Sequence, residues 1–447
     1  MHSYKLWGAL AVCAVLAACG GGGGGGETAS TPTQQNTTVQ GSTTITQVIA
    51  SAGANAATIT VAAAPAPTNV VVANVPMVTV KICAPSNPSQ CATINNVQVD
   101  TGSSGFRVLR SALDSAMGST ATWQAAFPQV TAPSSANALG ECMTFADGIA
   151  FGGIHKASLT VANETASNLN IEVIDDPATP KPTTTQTNAD GTIQTALNNC
   201  ENLANQNTPQ LLHANGVLGV GTAVDDCYYC HSGHNATPMY YSCTTSCTNL
   251  AGTALTSTQL VANPVTLFPV DNNGVIVELP AVPATGSASV TGVLVFGIGT
   301  QANNALGSAQ VLQADSISGN ITTAFQGNSL TNSFFDSGSN SLFFPASIAT
   351  CADATSFYCP TSTQSLSAMV EGVNGTNATI NFTVANTDTL TNSGNFAFNN
   401  QAGTTGAYFG GSGGTFDWGL PAFFGRNVYT AVTGSTTSGH PGPFYAF

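Results

Sequence analysis

Asp100 and Asp336 stand in closely matched surroundings, Val97-Gln98-Val99-Asp100-Thr101-Gly102-Ser103-Ser104-Gly105 and Ser333-Phe334-Phe335-Asp336-Ser337-Gly338-Ser339-Asn340-Ser341. In each, an apolar, strand-like approach leads to an aspartate, then a small hydroxyl residue, a glycine and a serine. Asp and Glu total only 21 in 447 residues, so two carboxylates with the same setting form a pattern. Two carboxyls brought together cannot both ionise cheaply, so they share a proton and act as a coupled acid and base. Gly102 and Gly338 let each loop turn tightly and bring backbone close to the carboxylate. Backbone N–H groups and the hydroxyls of Ser103 and Ser339 can then hydrogen-bond the outer carboxylate oxygens and keep one aspartate ionised. A water held between the pair would lose a proton to the ionised member and attack a carbonyl, while the protonated member supports the oxyanion. Such chemistry needs no metal and no organic cofactor.

A duplicated motif implies two similar lobes with one site between them. From about Asn74 the chain is a series of short apolar runs broken by Gly, Asn, Pro and Asp. Met77–Ile82, Ser158–Val161, Asn170–Ile174, Gly274–Leu279 and Thr379–Val384 read as strands, several alternating apolar with polar. Val108–Met117 is the clearest helical window, and Leu342-Phe343-Phe344 reads as a strand ended by Pro345. The expectation is an all-β body with one or two short helices.

Charged residues make up 6 % of the chain and Lys plus Arg number 7, giving a net charge of −14. Little here can neutralise phosphates, so nucleic acid is excluded as a partner. Residues 1–18 read as a signal peptide, with Lys5, an apolar core from Leu6 to Leu16, and Leu16-Ala17-Ala18 before Cys19. That ending resembles the bacterial lipobox, which implies that Cys19 carries lipid and anchors the protein to the membrane. Glycine after the cysteine favours the outer membrane of the cell envelope by the same resemblance. Residues 19–73 read as the lipidated cysteine with a Gly/Ser/Thr-rich tether. Ten further cysteines in an oxidising compartment predict five disulfides. Cys83–Cys91, Cys351–Cys359 and Cys142–Cys200 are the expected pairs outside the cluster Cys227, Cys230, Cys243, Cys247. That cluster, with His231 and His234, also fits tetrahedral zinc spacing. Two disulfides closing a hairpin insert are preferred, so no metal site is assigned.

Four more segments complete an ordered set. Phe145-Ala146-Asp147-Gly148 sits at a hairpin turn, followed by Asn215–Gly221, then Gly292–Gly299, and after Asp336 the stretch Leu420–Val432. Over residues 74 to 435 this order resembles the pepsin-like aspartic peptidases, in a bacterial lipoprotein form that also resembles an uncharacterised lipoprotein family. The resemblance implies a bilobal all-β fold with lobes over 74–268 and 269–447. It further implies Asp100 and Asp336 as the catalytic pair, with Thr101, Gly102, Ser103, Ser337, Gly338 and Ser339 as supporting loops. A flap would carry Phe145, Asp147 and Gly148, an apolar-apolar-Gly strand would support each loop, and a monomer would cleave polypeptide. Phe145 stands where the family carries a tyrosine, and Arg107 or Val108 where it carries that tyrosine's tryptophan partner. Pro421-Ala422 stands where the family often has Gly-Asp near its last supporting strand. Asp175–His213 and the cysteine cluster read as insertions able to narrow a cleft. The alternative is a pepsin-like binding or surface lipoprotein without turnover; a structural envelope lipoprotein would have no cleft. Gly410–Gly414 matches the Gly-x-Ser-x-Gly pattern, but no helix follows and no partnered His motif supports a serine hydrolase.

Overall fold

The computed structural model describes residues 53–181, 200, 205–227, 230, 239–250, 255–406 and 414–447, with the backbone alone of 185–187 and 193–195. The signal peptide, Cys19, His231, His234 and the glycine-rich 410–413 lie outside these residues. The fold is bilobal and all-β, with short helices such as Arg110–Met117 and Thr120–Ala126. Among the described residues no helix is long and apolar enough to cross a membrane.

Both halves use one topological device. In the first, Asn87–Asp100 delivers Asp100 and Ser104–Leu109 leads away from it. Gly216–Val220 inserts between them, parallel to the first and antiparallel to the second. In the second half Asn328–Phe335 leads to Asp336 and Leu342–Phe343 leads away. Thr415–Trp418 inserts between these two, again parallel to one and antiparallel to the other. Gly219 lies in register with Asp100, and the Asp336 N–H donates to Trp418 O at 3.1 Å. The two halves are therefore related by an approximate twofold, with the aspartate loops as equivalent parts.

Three assignments from the sequence change. The segment read as tether contains the strand Ala56–Val61, whose Ile59 and Val61 are buried. It bridges Val290–Phe296 to Pro76–Ala84, so the first lobe's sheet continues across the 268/269 boundary into Gly274–Leu279, Arg426–Ala431 and Phe444–Ala446. The second loop's supporting strand is Thr415–Trp418 with Gly419. Leu420–Ala422 is a 3-10 turn, and Arg426–Ala431 belongs to the bridging sheet. The cysteine-rich insert is part of the sheet: its strand Tyr240–Cys243 pairs with Ala138–Thr144 along the hairpin's outer edge.

One core runs through both lobes, with Val97, Val99, Phe106 and Leu218 from the first and Phe335, Phe416 and Trp418 from the second. Phe416 stacks on Trp418 at 4.1 Å and on Phe344 at 4.8 Å, while the Trp418 indole N–H donates to Thr323 Oγ1 at 3.0 Å. Because side chains alternate along a strand, burying Phe335 and Trp418 fixes the backbone that carries Asp336. Truncating Phe335 to alanine costs about 3–5 kcal/mol on this packing. All five disulfides form: Cys83–Cys91, Cys142–Cys200, Cys227–Cys230, Cys243–Cys247 and Cys351–Cys359.

Candidate active site

The two loops hold each other through their hydroxyl residues. Thr101 Oγ1 accepts from the Ser337 N–H at 2.9 Å and donates to Phe335 O at 3.2 Å. Ser337 Oγ accepts from the Thr101 N–H at 3.1 Å and donates to Val99 O at 2.8 Å. All four bonds cross between lobes. The glycines serve the opposite loop as well as their own. A Cβ on Gly102 would fall 2.5 Å from Asp336 Cγ, and one on Gly338 would fall 2.5 Å from Asp100 Oδ1. Each loop's aspartate thus occupies the space that glycine leaves in the other.

Asp100 is 7 % exposed and Asp336 is half-buried. Asp100 Oδ1 accepts from the N–H groups of Gly102 (2.8 Å) and Ser103 (3.2 Å), and Oδ2 accepts from the Ser103 hydroxyl. Asp336 Oδ1 accepts from the Gly338 N–H at 2.7 Å, and Oδ2 accepts from Ser339 Oγ at 2.8 Å. Burial, then the charge of Asp100 and a hydrogen bond shared with it, push Asp336 up to about 8, against the opposing pull of Ser339 and Gly338. Asp336 is therefore the member of the pair that keeps its proton beyond the usual carboxylate range, and it has two other donors to the three of Asp100.

Phe145, Asp147 and Gly148 form the turn of the hairpin Ala138–Thr144/Ile149–Val161, closed by Phe145 N–H to Gly148 O at 2.9 Å. Phe145 packs on the cluster of Leu109, Ala150, Ile174, Leu212 and Val217, and Asp147 accepts from Gln206 at 2.8 Å. Among the described residues no hydrogen bond joins this turn to the aspartates.

Two features escaped the sequence reading. Arg107 is fully buried and pairs with three buried carboxylates, Glu141 at 2.5 Å, Asp226 at 3.0 Å and Glu172 at 3.1 Å, and donates to Ser104 O at 2.9 Å. Burial opposes the guanidinium charge, but the fields of Glu141, Asp226 and Glu172 more than offset it, and the net shift is upward. Burial and Glu141 hold Glu172 and Asp226 well above the carboxylate range despite Arg107. Tyr240 donates to both Asp226 oxygens at 2.9 Å, so the cluster joins the first loop's exit strand, the hairpin and the cysteine-rich insert. The second feature is Asp417 in the supporting strand Thr415–Trp418, fully buried beside Asp336. Both were signalled by charges within apolar runs (Gly-Phe-Arg-Val-Leu and Thr-Phe-Asp-Trp) in a chain with few charges.

The cysteine cluster offers no thiolate for zinc, since all four of its sulfurs are in disulfides. The grouping Cys351, Cys359 and Asp388 likewise contains a disulfide.

Two β-lobes related by a twofold, with an aspartate carboxyl from each meeting the other at their junction, define a pepsin-like fold with a paired-carboxyl centre. The chain belongs to the family described as "Protein of unknown function (DUF3443)", which matches residues 51–447. No curated protein matches. Among solved structures, an aspartic proteinase from Irpex lacteus is similar at 16 % identity over 88 % of this chain and 96 % of that one, with a TM-score of 0.43.

Proposed function

We propose that this protein is an aspartic endopeptidase, held at the cell envelope, in the outer membrane, by lipid on Cys19, and acting as a monomer on extended polypeptide. The observation that carries the reading is the crossed bracing of two loops that brings the Asp100 and Asp336 carboxyls together. A bound water gives a proton to Asp100 as its oxygen attacks the peptide carbonyl carbon, and Asp336 gives its proton to the carbonyl oxygen. The resulting gem-diol returns a proton to Asp336 while Asp100 passes its own to the departing nitrogen. The C–N bond breaks, one water has been added, and both carboxyls regain their starting states. The scheme uses no metal or cofactor. A substrate would lie along the cleft as an added strand, under the hairpin of Phe145, Asp147 and Gly148.

A second reading, a binding lipoprotein without turnover, draws on the hairpin's lack of a hydroxyl at Phe145 and on its arm being fixed near the turn by the Cys142–Cys200 disulfide. A peptide whose scissile bond is replaced by a hydroxyl-bearing isostere separates the two. At a hundred times its Kd a ligand adds about 2.7 kcal/mol to folding stability. An endopeptidase binds the isostere far more tightly than the parent peptide and loses that preference in Asp100→Asn and Asp336→Asn. Equal affinity for both ligands favours the binding protein.

A further inference from the structure

Asp417 is 0 % exposed, and neither of its carboxylate oxygens has a partner at full hydrogen-bonding geometry, the neighbouring Ser339 hydroxyl being the side chain that acts on it as a hydrogen-bonding group. Its strand lies between the two that flank the second aspartate loop, with Asp417 in register with Phe334 on one side and Phe343 on the other. The next turn is tied to that loop by the Leu420 N–H donating to Ser339 O at 2.8 Å. The twofold-equivalent position is Val217, opposite Gln98, so the fold accepts an apolar residue here. An acid in its place calls for a reason.

An unpaired buried carboxylate is costly, whereas a neutral carboxyl has one O–H to give. Burial and the charges of Asp336 and Asp100 push Asp417 well above the carboxylate range, with Ser339 pulling the other way. The groups that act on it electrostatically are these three and Tyr445. Ser339 Oγ already donates its proton to Asp336 Oδ2 at 2.8 Å, so it has lone pairs free to accept. The halves also differ at this point: Asp100 accepts from the backbone N–H of Ser103, and Asp336 has no such bond from Ser339.

We propose that Asp417 is a positioning residue that, in its neutral form, donates its O–H to Ser339 Oγ and so fixes the Ser339 hydroxyl as a donor to Asp336 Oδ2. The chain Asp417 O–H···Oγ Ser339 O–H···Oδ2 Asp336 strengthens cooperatively and supplies what the missing backbone donor would have given. It favours the charged form of Asp336 and limits how far Asp100 drives its proton affinity up. The role rests on the dyad reading above, but its test does not require turnover.

The test is carboxyl 13C NMR of the full-length protein labelled at aspartate Cγ, titrated from pH 3 to 10, with Asp336→Asn assigning the Asp336 signal. Asp417→Val removes the donor, and the Asp336 midpoint rises by roughly 0.5–1 pH unit, the equivalent of one weakened hydrogen bond. Asp417→Asn restores an N–H donor at the same place and returns the midpoint to the parent value. If Asp417 were a buried anion, both substitutions would lower the midpoint, and the proposal fails. An unmoved midpoint in both variants makes Asp417 a packing residue and also overturns it. Should Asp417→Val not fold, Ser339→Ala takes its place: the midpoint rises, and adding Asp417→Asn to Ser339→Ala changes nothing more. Absence of peptide cleavage alongside the expected shifts would count against the peptidase and leave this inference standing.

Discussion

Replacing Arg107 by methionine fills the same volume without charge and leaves three buried carboxyls with no cation. In the parent, Glu172 and Asp226 are held towards their neutral forms, so the guanidinium balances one remaining carboxylate charge. Without it, that charge must take up a proton on folding. At pH 7, protonating a carboxyl of ordinary pKa near 4.3 costs about 3.7 kcal/mol, and at pH 4 under about 0.5 kcal/mol. Loss of the bond to Ser104 O adds about 1 kcal/mol at either pH. The expected destabilisation is about 4–5 kcal/mol at pH 7, within the range for a broken buried ion pair, and about 1 kcal/mol at pH 4. Urea unfolding followed by tryptophan fluorescence, with disulfides intact, measures both. Adding Glu141→Gln removes the stranded charge and should recover most of the loss at pH 7. Equal losses at the two pH values, or a double variant weaker than the single, would refute this charge account of the cluster.

Asp336, Glu172, Asp226, Asp417 and Glu164 all have folded-state pKa values raised above their unfolded ones. The folded protein then binds protons more tightly, so stability is fullest in acid and falls as pH rises towards the folded values. For Asp336 alone the slope is about 1.4 kcal/mol per pH unit between roughly 4 and 8, and Asp336→Asn should remove that share from urea midpoints measured at pH 4, 6 and 8. Thr101→Val deletes the hydroxyl that bonds Ser337 N–H and Phe335 O, which costs about 2–4 kcal/mol in the same assay. A loss below about 0.5 kcal/mol would mean the loops do not brace each other. Cys19→Ala should move the protein from the membrane pellet to the soluble fraction and abolish incorporation of a labelled fatty acid; an unchanged pellet fraction would remove the anchor from the account.

The strand series was legible because its alternation is a local property: Met77–Ile82, Gly274–Leu279 and Thr379–Val384 each fall within an observed strand. Ala56–Val61 alternates too, but Thr- and Ala-rich flanks made it look like tether. The matched aspartate motifs were legible because a duplicated nine-residue context survives in one chain. The second supporting strand was missed because Phe416-Asp417-Trp418-Gly419 puts an acid where an apolar residue was sought. The Arg107 cluster was hidden for a different reason. Its partners lie 34 to 119 residues away, so pairing is visible only once the hairpin, the exit strand and the insert meet.

The most direct test of the endopeptidase is cleavage itself. Full-length protein in detergent, beside Asp100→Asn and Asp336→Asn, would be incubated with a mixed peptide pool from pH 3 to 9, and new termini identified by mass spectrometry. The account predicts internal cleavage by the parent, falling as pH rises through about 8 when Asp336 loses its proton, and lost in both variants. No cleavage at any pH by folded, disulfide-bonded parent protein would contradict it, as would cleavage that survives either substitution.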